Sequence, residues 1–468
     1  MVLTTIDSCH QADRILTERS EVSSLIVSVS GLRGVVGGSL HPEVVVRYIA
    51  AFAAGLRPGP IVVTRDGRNS GSMLASIARG TATALGRKVL DGNIAATPTT
   101  GVLVRNLKAA GGVQISASHN TAEYNGIKLF GPDGRVITAG VGEEVLQRFH
   151  EGEFTWVGHD ELGTEQEIKD TTEEHLRRIL ETISAHRIRA NEYRVLLDSN
   201  HGAGSILGRK LLQTLGCEMT IYGGTPNGKF AHPPEPIAEN LEEVCQRVRD
   251  LEAAVGFCQD PDGDRLALVD EQGRYIGEEY TVAICLKHVL QSRQGPVVTN
   301  CSSSRMSGDI ARRQGVPFYR SKVGEANVTS MMQKSDAVFG GEGNGGPIDP
   351  RVGFVRDSFV GMALVLDAMA SRGKRLSELV AELPSYEICK TKISLNRARF
   401  DAATENLKSR FPEAKADDMD GLRLDWDDKW LSVRASNTEP IVRVIAEAPT
   451  RDEAEKLCAE ASDVLARS

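Results

Sequence analysis

The sequence lacks the features that would indicate a membrane, secreted or nucleic-acid-binding protein. None of its apolar runs is long enough to cross a bilayer, and the first 21 residues lack the apolar core of a signal peptide. The eight cysteines form no C-x-x-C pair, so a reduced cytoplasm is the expected compartment. Lysine and arginine are scattered and the net charge is −8, so neither a nucleic-acid partner nor a membrane partner is expected.

The length and the order of the predicted elements indicate a multidomain α/β protein. A chain of 468 residues is too long for one hydrophobic core, so three or four domains are expected. Three times an apolar strand is followed by a polar loop and a helical pattern, and such alternation is typical of α/β layers. The three predicted strands cover residues 61–64, 194–198 and 296–300.

The C-terminal segment follows a different pattern. Residues 422–426 and 430–433 are apolar runs on either side of D-D-K, which predicts a β-hairpin. A third strand is predicted over residues 441–446, and an amphipathic helix over residues 451–466. These elements predict a small α+β domain.

A loop with three alternating carboxylates is the most informative part of the chain. Asp260, Asp262 and Asp264 stand in the run D-P-D-G-D-R, between two apolar segments. A hard divalent cation would draw these carboxylates together and cancel their repulsion, and Gly263 would let the backbone bend toward the ion. Arg265 adds a cation that suits a phosphate oxygen. The loop therefore predicts a Mg²⁺ site that handles phosphate.

Three other interpretations of this loop stay open on the sequence alone. It could be an acidic solvated turn, although the apolar runs on both sides favour a strand end. An EF-hand would also begin D-x-D-x-D, but it needs glycine where Arg265 stands, and it needs flanking helices. A phosphatase of the haloacid dehalogenase type would use an aspartyl nucleophile after an apolar strand, and would normally carry threonine where Asp264 stands.

A second loop carries a candidate nucleophile. A predicted strand over residues 113–116 is followed by A-S-H-N, so Ser118 lies just beyond the C-terminal end of the strand and His119 comes next. Lys128 stands at the predicted start of the next strand, and its side chain could lie close to Ser118. The flanks lack the G-x-S-x-G of a hydrolase elbow, and an ordinary polar turn is the alternative.

The run G-E-G-N-G-G, residues 341–346, has two interpretations besides a plain surface loop. It formally contains the dinucleotide pattern G-x-G-x-x-G, but prolines follow where the helix should begin. Alternatively, a flexible backbone brings Glu342 and Asn344 to a polyhydroxylated ligand, because one carboxylate can accept from two adjacent sugar hydroxyls.

The run R-A-S-N-T-E-P in the C-terminal segment has the composition of a phosphate cradle. Arg434 offers a forked cation, and short donors with their backbone N–H groups follow at Ser436, Asn437 and Thr438. A hydrogen-bonded turn without a ligand is the alternative. Near the other end of the chain, Arg33 stands in G-L-R-G, a run that by itself assigns no role.

Taken together, these loops resemble those of the α-D-phosphohexomutase superfamily, which includes phosphoglucomutase, phosphomannomutase and phosphoglucosamine mutase. The resemblance runs from residue 24 to the C-terminus, and it keeps the family's order of S-x-S-H-N with N-G-I-K, D-P-D-G-D-R, G-E-G-N-G-G and R-A-S-N-T-E-P. It implies an α/β fold with three similar α/β/α domains, built on mixed sheets, and a smaller C-terminal α+β domain around a central cleft. The expected divisions are an extension over residues 1–21 and domains over residues 22–165, 166–272, 273–384 and 385–468.

The resemblance also implies roles for individual residues. Ser118 would be phosphorylated in the active enzyme and would share Mg²⁺ with the three aspartates. Glu342 would bind the sugar together with Asn344. Lys322, in S-K-V-G, matches a ligand position of the family, and Arg265 belongs to the same substrate-binding set.

The mechanism implied is a phosphoryl transfer in two halves. The phosphate of a hexose phosphate would be clamped by Arg434 and its neighbours, and the free hydroxyl at the other end of the sugar would lie against Ser118. A bisphosphosugar would form, turn end for end and return a phosphate to the enzyme. Lys128 or His119 would act as acid or base, and Arg33 with Mg²⁺ would lower the pKa of Lys128. The last domain would move about a hinge near residues 383–387.

Three positions depart from common family patterns. Thr121 stands where proline is frequent, Asn437 where glycine is usual, and residues 344–346 read N-G-G where many bacterial members have S-G-H. The sugar is therefore open. Phosphomannomutase or phosphoglucomutase is the first expectation and phosphoglucosamine mutase the alternative. A Mg²⁺-dependent sugar phosphatase and a catalytically silent sugar-phosphate sensor are alternatives from other classes. A monomer or a homodimer is expected.

Overall fold

The computed structural model describes most of the chain, namely residues 25–28, 31–395, 397–435 and 441–467. The expected extension over residues 1–21 and the predicted phosphate ligands Ser436, Asn437 and Thr438 lie outside these ranges. The described residues form four β-sheets, which follow one another along the sequence. No helix among them is long and apolar enough to cross a membrane.

Seven strands form the first sheet: β1 (Ile26–Ser28), β2 (Gly31–Val35), β3 (Ile61–Arg65), β4 (Val89–Ile94), β5 (Gly111–Ile115), β6 (Tyr124–Phe130) and β7 (Glu165–Glu167). Their order is β1-β2-β6-β5-β3-β4-β7, with β3 parallel to its neighbours and β6 antiparallel to both of its own. The helices are α1 (Pro42–Ala54), α2 (Gly71–Ala84), α3 (Thr97–Asn106) and α4 (Ala139–Glu151). Because α3 packs on one face and the other three on the opposite face, both faces of this sheet are covered.

The second and third sheets are mixed and have four strands each. The second has the order β11-β10-β8-β9, and its elements are β8 (Arg194–Asp198), β9 (Glu218–Tyr222), β10 (Val255–Gln259) and β11 (Leu266–Asp270), with α5 (Glu173–Leu180), α6 (Ala185–Arg189), α7 (Gly204–Thr214) and α8 (Glu242–Asp250). The third has the order β13-β12-β14-β15, and its elements are β12 (Val297–Asn300), β13 (Phe318–Ser321), β14 (Phe339–Glu342) and β15 (Gly346–Ile348), with α9 (Glu278–Ser292), α10 (Met306–Arg313), α11 (Glu325–Lys334), α12 (Ser358–Arg372) and α13 (Leu376–Ala381).

The fourth sheet is antiparallel throughout. Its strands are β16 (Glu387–Ser394), β17 (Lys415–Asp417), β18 (Leu422–Asp425), β19 (Trp430–Ala435) and β20 (Ile441–Ala448), and its helices are α14 (Arg397–Arg410) and α15 (Arg451–Arg467). The order is β16-β20-β19-β18-β17, so β18 and β19 form the predicted hairpin. Both helices share one apolar core with this sheet.

The sequence-based strand predictions are confirmed. The three predicted repeat strands are β3, β8 and β12, and each is followed by a loop and a helix. Their central positions are buried on both faces, which is why they appear in the sequence as continuous apolar runs rather than alternating ones. The domain divisions stay predictions. β7 pairs with β4 in the first sheet and straddles the predicted division at residue 165.

One hydrophobic core joins the second and third sheets, whereas the first and fourth sheets have separate cores. Helix α12 lies at the centre of the joint core, and its first twelve residues are buried. Phe257 of β10, Phe339 of β14 and Phe359 of α12 are all completely buried in it. The loops at the strand ends near α12 are therefore attached to a closely packed support.

Candidate active site

The candidate nucleophile lies in a strained loop, residues 116–124, which we name the nucleophile loop. Ser118 follows the end of β5, is 1% exposed, and has a φ of 51°, a left-handed conformation that few residues other than glycine adopt. Its Oγ donates a hydrogen bond of 2.7 Å to Asp260 Oδ2. His119 Nδ1 lies 3.3 Å from the same Oγ. The serine therefore faces both the imidazole and the acidic loop.

A buried arginine, Arg68, binds the backbone of the nucleophile loop. The sequence reasoning did not single it out. Arg68, 2% exposed, donates to four backbone carbonyls between residues 118 and 124 at 2.5–2.9 Å. Its Nε donates to Asp66 Oδ2 at 3.0 Å, and the same oxygen accepts from Ser116 Oγ at 2.7 Å. All the donors of the guanidinium are thus used. The R-D-G-R run after the first predicted strand was the available signal.

The three aspartates lie together in the metal loop, residues 260–265. This loop joins β10 to β11, and Asp260, Asp262 and Asp264 are each completely buried. One oxygen from each lies within 4.8 Å of the others. Gly263 has a φ of 70°, which fits the predicted bend. The interpretations as a solvated turn and as an EF-hand are wrong, because the loop is buried and lies between strands.

The metal loop has the donor set that a hard divalent cation needs. Oδ1 of Asp262 and Oδ1 of Asp264 are buried and have no hydrogen-bond partner among the described residues. Burial and the two neighbouring carboxylates raise the pKa of Asp260 well above its usual value. Uncompensated carboxylate oxygens in a buried site fit Mg²⁺, which prefers oxygen ligands.

Lys128 lies inside β6 rather than at the start of that strand, and it contacts the metal loop directly. Its Nζ donates to Asp262 Oδ2 at 2.6 Å and to Asp264 Oδ2 at 2.8 Å. Burial disfavours the charged form of Lys128, but the two carboxylates outweigh burial and raise its pKa above the usual value. This shift is opposite to the one expected from Arg33, because Asp262 and Asp264 accept directly from Nζ. The part of that expectation that rests on Mg²⁺ stays a prediction.

The imidazole of His119 is neutral near pH 7. Burial, together with the nearby cations Arg265 and Arg33, lowers the pKa of His119 to about 2. Arg33 lies on β2, and its Nη1 approaches Asn120 Oδ1 at 3.4 Å. The structure therefore brings these predicted catalytic side chains to one place, with a neutral histidine and a charged lysine.

The sugar loop, residues 342–346, joins β14 to β15. Glu342 is 4% exposed, and its Oε1 accepts from Asn300 Nδ2 at 2.7 Å and from the Gly324 backbone N–H at 3.0 Å. Oδ1 of Asn344 is buried without a hydrogen-bond partner in the described structure. The dinucleotide and surface-loop interpretations are both wrong, because a strand follows the glycines and the loop is mostly buried.

A second buried arginine, Arg356, connects the metal loop to the sugar loop. Its Nη2 lies 2.7 Å from Asp264 Oδ2, and its Nη1 lies 3.1 Å from Glu342 Oε2. Its Nε donates to Glu325 Oε2 at 3.0 Å. The sequence reasoning missed this residue because no local pattern distinguishes it from other arginines.

The remaining predicted ligands lie at the edges of these loops. Arg265 is largely buried, and its Nε has no hydrogen-bond partner among the described residues. Lys322 is exposed after β13. Arg434 on β19 lies 3.8 Å from Asp420 Oδ2, which accepts from the Val323 backbone N–H at 3.0 Å. Asp420 thus brings the described part of the predicted phosphate cradle next to the Lys322 segment.

Comparisons with known proteins agree in each of four successive segments between residues 25 and 464. The family descriptions "Phosphoglucomutase/phosphomannomutase, alpha/beta/alpha domain" I, II and III match residues 25–156, 173–273 and 278–386, and the C-terminal domain of the same family matches residues 393–464.

Individual relatives are similar over nearly their full length. A "Probable phosphoglucosamine mutase" from Methanopyrus kandleri is 32% identical over 442 residues, which cover 94% of this chain and 97% of the relative. A "Phosphoglucomutase/phosphomannomutase" from Thermococcus kodakarensis is 35% identical over 433 residues, with coverages of 91% and 94%. A solved phosphoglucomutase/phosphomannomutase family protein from Burkholderia thailandensis superposes with a TM-score of 0.84 at 25% identity, with coverages of 94% and 96%.

Proposed function

The chain belongs to the phosphoglucomutase/phosphomannomutase family and is a mutase of the α-D-phosphohexomutase superfamily, and we propose that it interconverts hexose 6-phosphates and hexose 1-phosphates. The proposed route runs through a phosphorylated Ser118 and a bisphosphosugar. The observation that carries this proposal is the 2.7 Å hydrogen bond from Ser118 Oγ to Asp260, which joins the nucleophile to the acidic cluster.

The proposed cofactor is Mg²⁺, held by Asp260, Asp262, Asp264 and the phosphate on Ser118. When bound, it would act as a Lewis acid that neutralises charge on the phosphoryl group. Lys128 holds one oxygen of Asp262 and one of Asp264, and so leaves the opposite oxygen of each free for the ion. In this arrangement the charged lysine orients two carboxylates and lowers the net negative charge of the site.

His119 is the proposed proton carrier next to Ser118. A neutral imidazole can accept a proton from a hydroxyl and return it, and its Nδ1 is 3.3 Å from the serine oxygen. Lys128 is the less suited of the two predicted acid/base residues, because Asp262 and Asp264 accept from its Nζ and favour its charged form.

Substrate binding is proposed to use both ends of the sugar. Arg434, with Ser436, Asn437 and Thr438, would clamp the phosphate remote from Ser118. Glu342 and Asn344 would accept hydrogen bonds from sugar hydroxyls, and the unpartnered Asn344 Oδ1 supports this role. Lys322 and Arg265 would add cations for the phosphates.

Glucose and mannose phosphates are the proposed substrates, and glucosamine phosphate is the second candidate. The second candidate is supported by Glu278, which interacts electrostatically with Arg265 and Arg356. Its Oε1 is buried without a hydrogen-bond partner among the described residues, and an ammonium group would suit it. The relatives include proteins named for both activities.

The test is a side-by-side assay of the three hexose 1-phosphates with Mg²⁺ and a trace of the matching 1,6-bisphosphate. Formation of the 6-phosphate without release of inorganic phosphate is expected. Steady phosphate release would instead identify a sugar phosphatase, and no turnover of any sugar would identify a silent sensor. Cytoplasmic localisation and a monomeric or homodimeric state stay predictions.

A further inference from the structure

The side chain of Arg356 lies at a junction of three separate segments. It stands between β15 and α12, and is 8% exposed. Its three carboxylate partners are Asp264 of the metal loop at 2.7 Å, Glu325 at the start of α11 at 3.0 Å, and Glu342 of the sugar loop at 3.1 Å. Because each nitrogen of the planar guanidinium meets a different carboxylate, the three segments cannot shift independently without breaking a charged contact.

The backbone around Arg356 is fixed by the core of the protein. The next residue, Asp357, caps α12 by accepting from the backbone N–H groups of Phe359 and Val360. The other oxygen of Asp357 lies 2.7 Å from Nε2 of His175, a completely buried residue. The guanidinium therefore extends from the anchored end of a buried helix, which gives the two loops a common reference point.

Gly346 provides the space through which Arg356 reaches the site. A Cβ built at Gly346 would lie 2.5 Å from Cδ and 2.7 Å from Cγ of Arg356, closer than non-bonded carbon atoms approach. Any side chain at position 346 would therefore displace the arginine. This explains the glycine at position 346, the last residue of the glycine-rich run.

We propose that Arg356 is a positioning residue that fixes the metal loop relative to the sugar loop, and that Gly346 is a glycine because Arg356 needs its space. The inference rests on the proposed Mg²⁺-dependent mutase function. It adds that Arg356 contacts both Asp264 and Glu342 and so links the geometry of one to that of the other. A change in this side chain therefore alters metal and sugar recognition together.

Metal selectivity separates a positioning role from a charge effect. Removal of a cation changes the affinity for all divalent ions in the same direction, whereas loss of a fixed ligand geometry penalises Mg²⁺ more than Ca²⁺. Mg²⁺ demands a near-ideal octahedral arrangement, but Ca²⁺ accepts irregular ones. The informative quantity is therefore the ratio of the two dissociation constants, measured by calorimetry on unphosphorylated full-length protein.

Three variants and one control form the experiment. Arg356→Lys keeps the charge but loses the planar, forked guanidinium, and Arg356→Met removes both. Gly346→Ala leaves the arginine intact but displaces its side chain. The matched control is Arg274→Met, because Arg274 pairs at 2.7 Å with a buried aspartate, Asp270, at the far end of β11. Circular dichroism and thermal unfolding of each variant show whether it is folded.

The expected result is a loss of preference for Mg²⁺ over Ca²⁺ by about 3- to 10-fold in all three variants, with a parallel rise in KM for the hexose 1-phosphate. The control should keep the wild-type ratio. A folded Arg356→Lys protein with the wild-type ratio and KM would overturn the inference while leaving the proposed function intact. A wild-type protein that neither binds Mg²⁺ nor turns over a hexose phosphate would overturn both.

Discussion

The nucleophile loop and the metal loop both follow a buried strand and both depend on buried cations, but the cations act on different groups. In the nucleophile loop, Arg68 binds backbone carbonyls, and the side chain of Ser118 contacts Asp260 instead. In the metal loop, Lys128 and Arg356 bind side-chain carboxylates. A loop that presents one reactive side chain is thus held by its backbone. A loop that presents a set of ligands is held by the ligands themselves.

This difference has an energetic consequence. The hydrogen-bond partners of Arg68 are Asp66 and backbone carbonyls, and none is a carboxylate of the metal loop, so its contribution is expected to stay the same when a metal binds. Lys128 and Arg356 share their partners with the expected metal, so their contribution changes when the metal binds. Substitution of Arg68 should therefore alter turnover and stability but not Mg²⁺ binding. Substitutions in the metal loop should alter Mg²⁺ binding as well.

The largest effect is expected for Ser118→Ala, because transfer must start from a phosphorylated protein. Turnover should fall at least about 10⁴-fold, as when other covalent nucleophiles are removed. Intact-protein mass spectrometry should show a phosphate adduct on the wild type and none on the variant. Ser76→Ala, on the exposed side of α2, is the control. Full mutase activity in Ser118→Ala would disprove the assignment.

The next largest effect is expected for Asp262→Asn in the metal loop. The variant loses a proposed charged ligand for Mg²⁺ and one of the two carboxylate partners of Lys128. A fall in turnover of about 10³-fold is expected, because several kcal/mol of charge stabilisation is lost. Calorimetry should show weaker Mg²⁺ binding, and EDTA should abolish wild-type turnover. Turnover that survives thorough chelation would contradict the metal role.

Arg68→Met should damage the nucleophile loop and spare the metal loop. We expect a fall in kcat of about 10²-fold, because the strained Ser118 loses its support and moves from its reactive position. The free energy of unfolding should fall by about 3 kcal/mol, since Asp66 is left buried without its charged partner. The Mg²⁺ dissociation constant should stay near the wild-type value. If Mg²⁺ binding weakened as much as turnover fell, the two loops would not be held independently.

The smallest effect is expected for Arg434→Ala, where an arginine is proposed to act on the substrate rather than on a loop. The side chain is 27% exposed, so its hydrogen bond to a phosphate should lie at the lower end of the range for charged hydrogen bonds, about 1.5 kcal/mol. We therefore expect kcat/KM to fall roughly 10-fold. Stability and Mg²⁺ affinity should not change. Steady-state kinetics of Arg434→Ala that match those of the wild type would place the phosphate cradle elsewhere.

Much of the fold follows from the sequence because its signals are local. Continuous apolar runs mark β3, β8 and β12, and a pair of short runs around D-D-K marks the C-terminal hairpin. The acidic loop and the serine loop are also visible, since each is a short polar run directly after an apolar one. Burial and backbone conformation at these places need only neighbouring residues.

The roles of the supporting residues do not follow from the sequence, because their partners are distant along the chain. Arg68 meets carbonyls 50 to 56 positions away, and Arg356 meets Asp264 92 positions away. The charge states depend on the same distant contacts: His119 is neutral because it is buried near Arg265 and Arg33, and Lys128 is charged because Asp262 and Asp264 face it.

The sequence by itself determined the family, the order of the elements and the four loops that carry the candidate chemistry, because each is encoded in a short run of residues. Only the tertiary structure decided which cations hold those loops and which titratable groups keep their protons. Those properties arise from burial and charge pairing between segments that the chain brings together only when it folds.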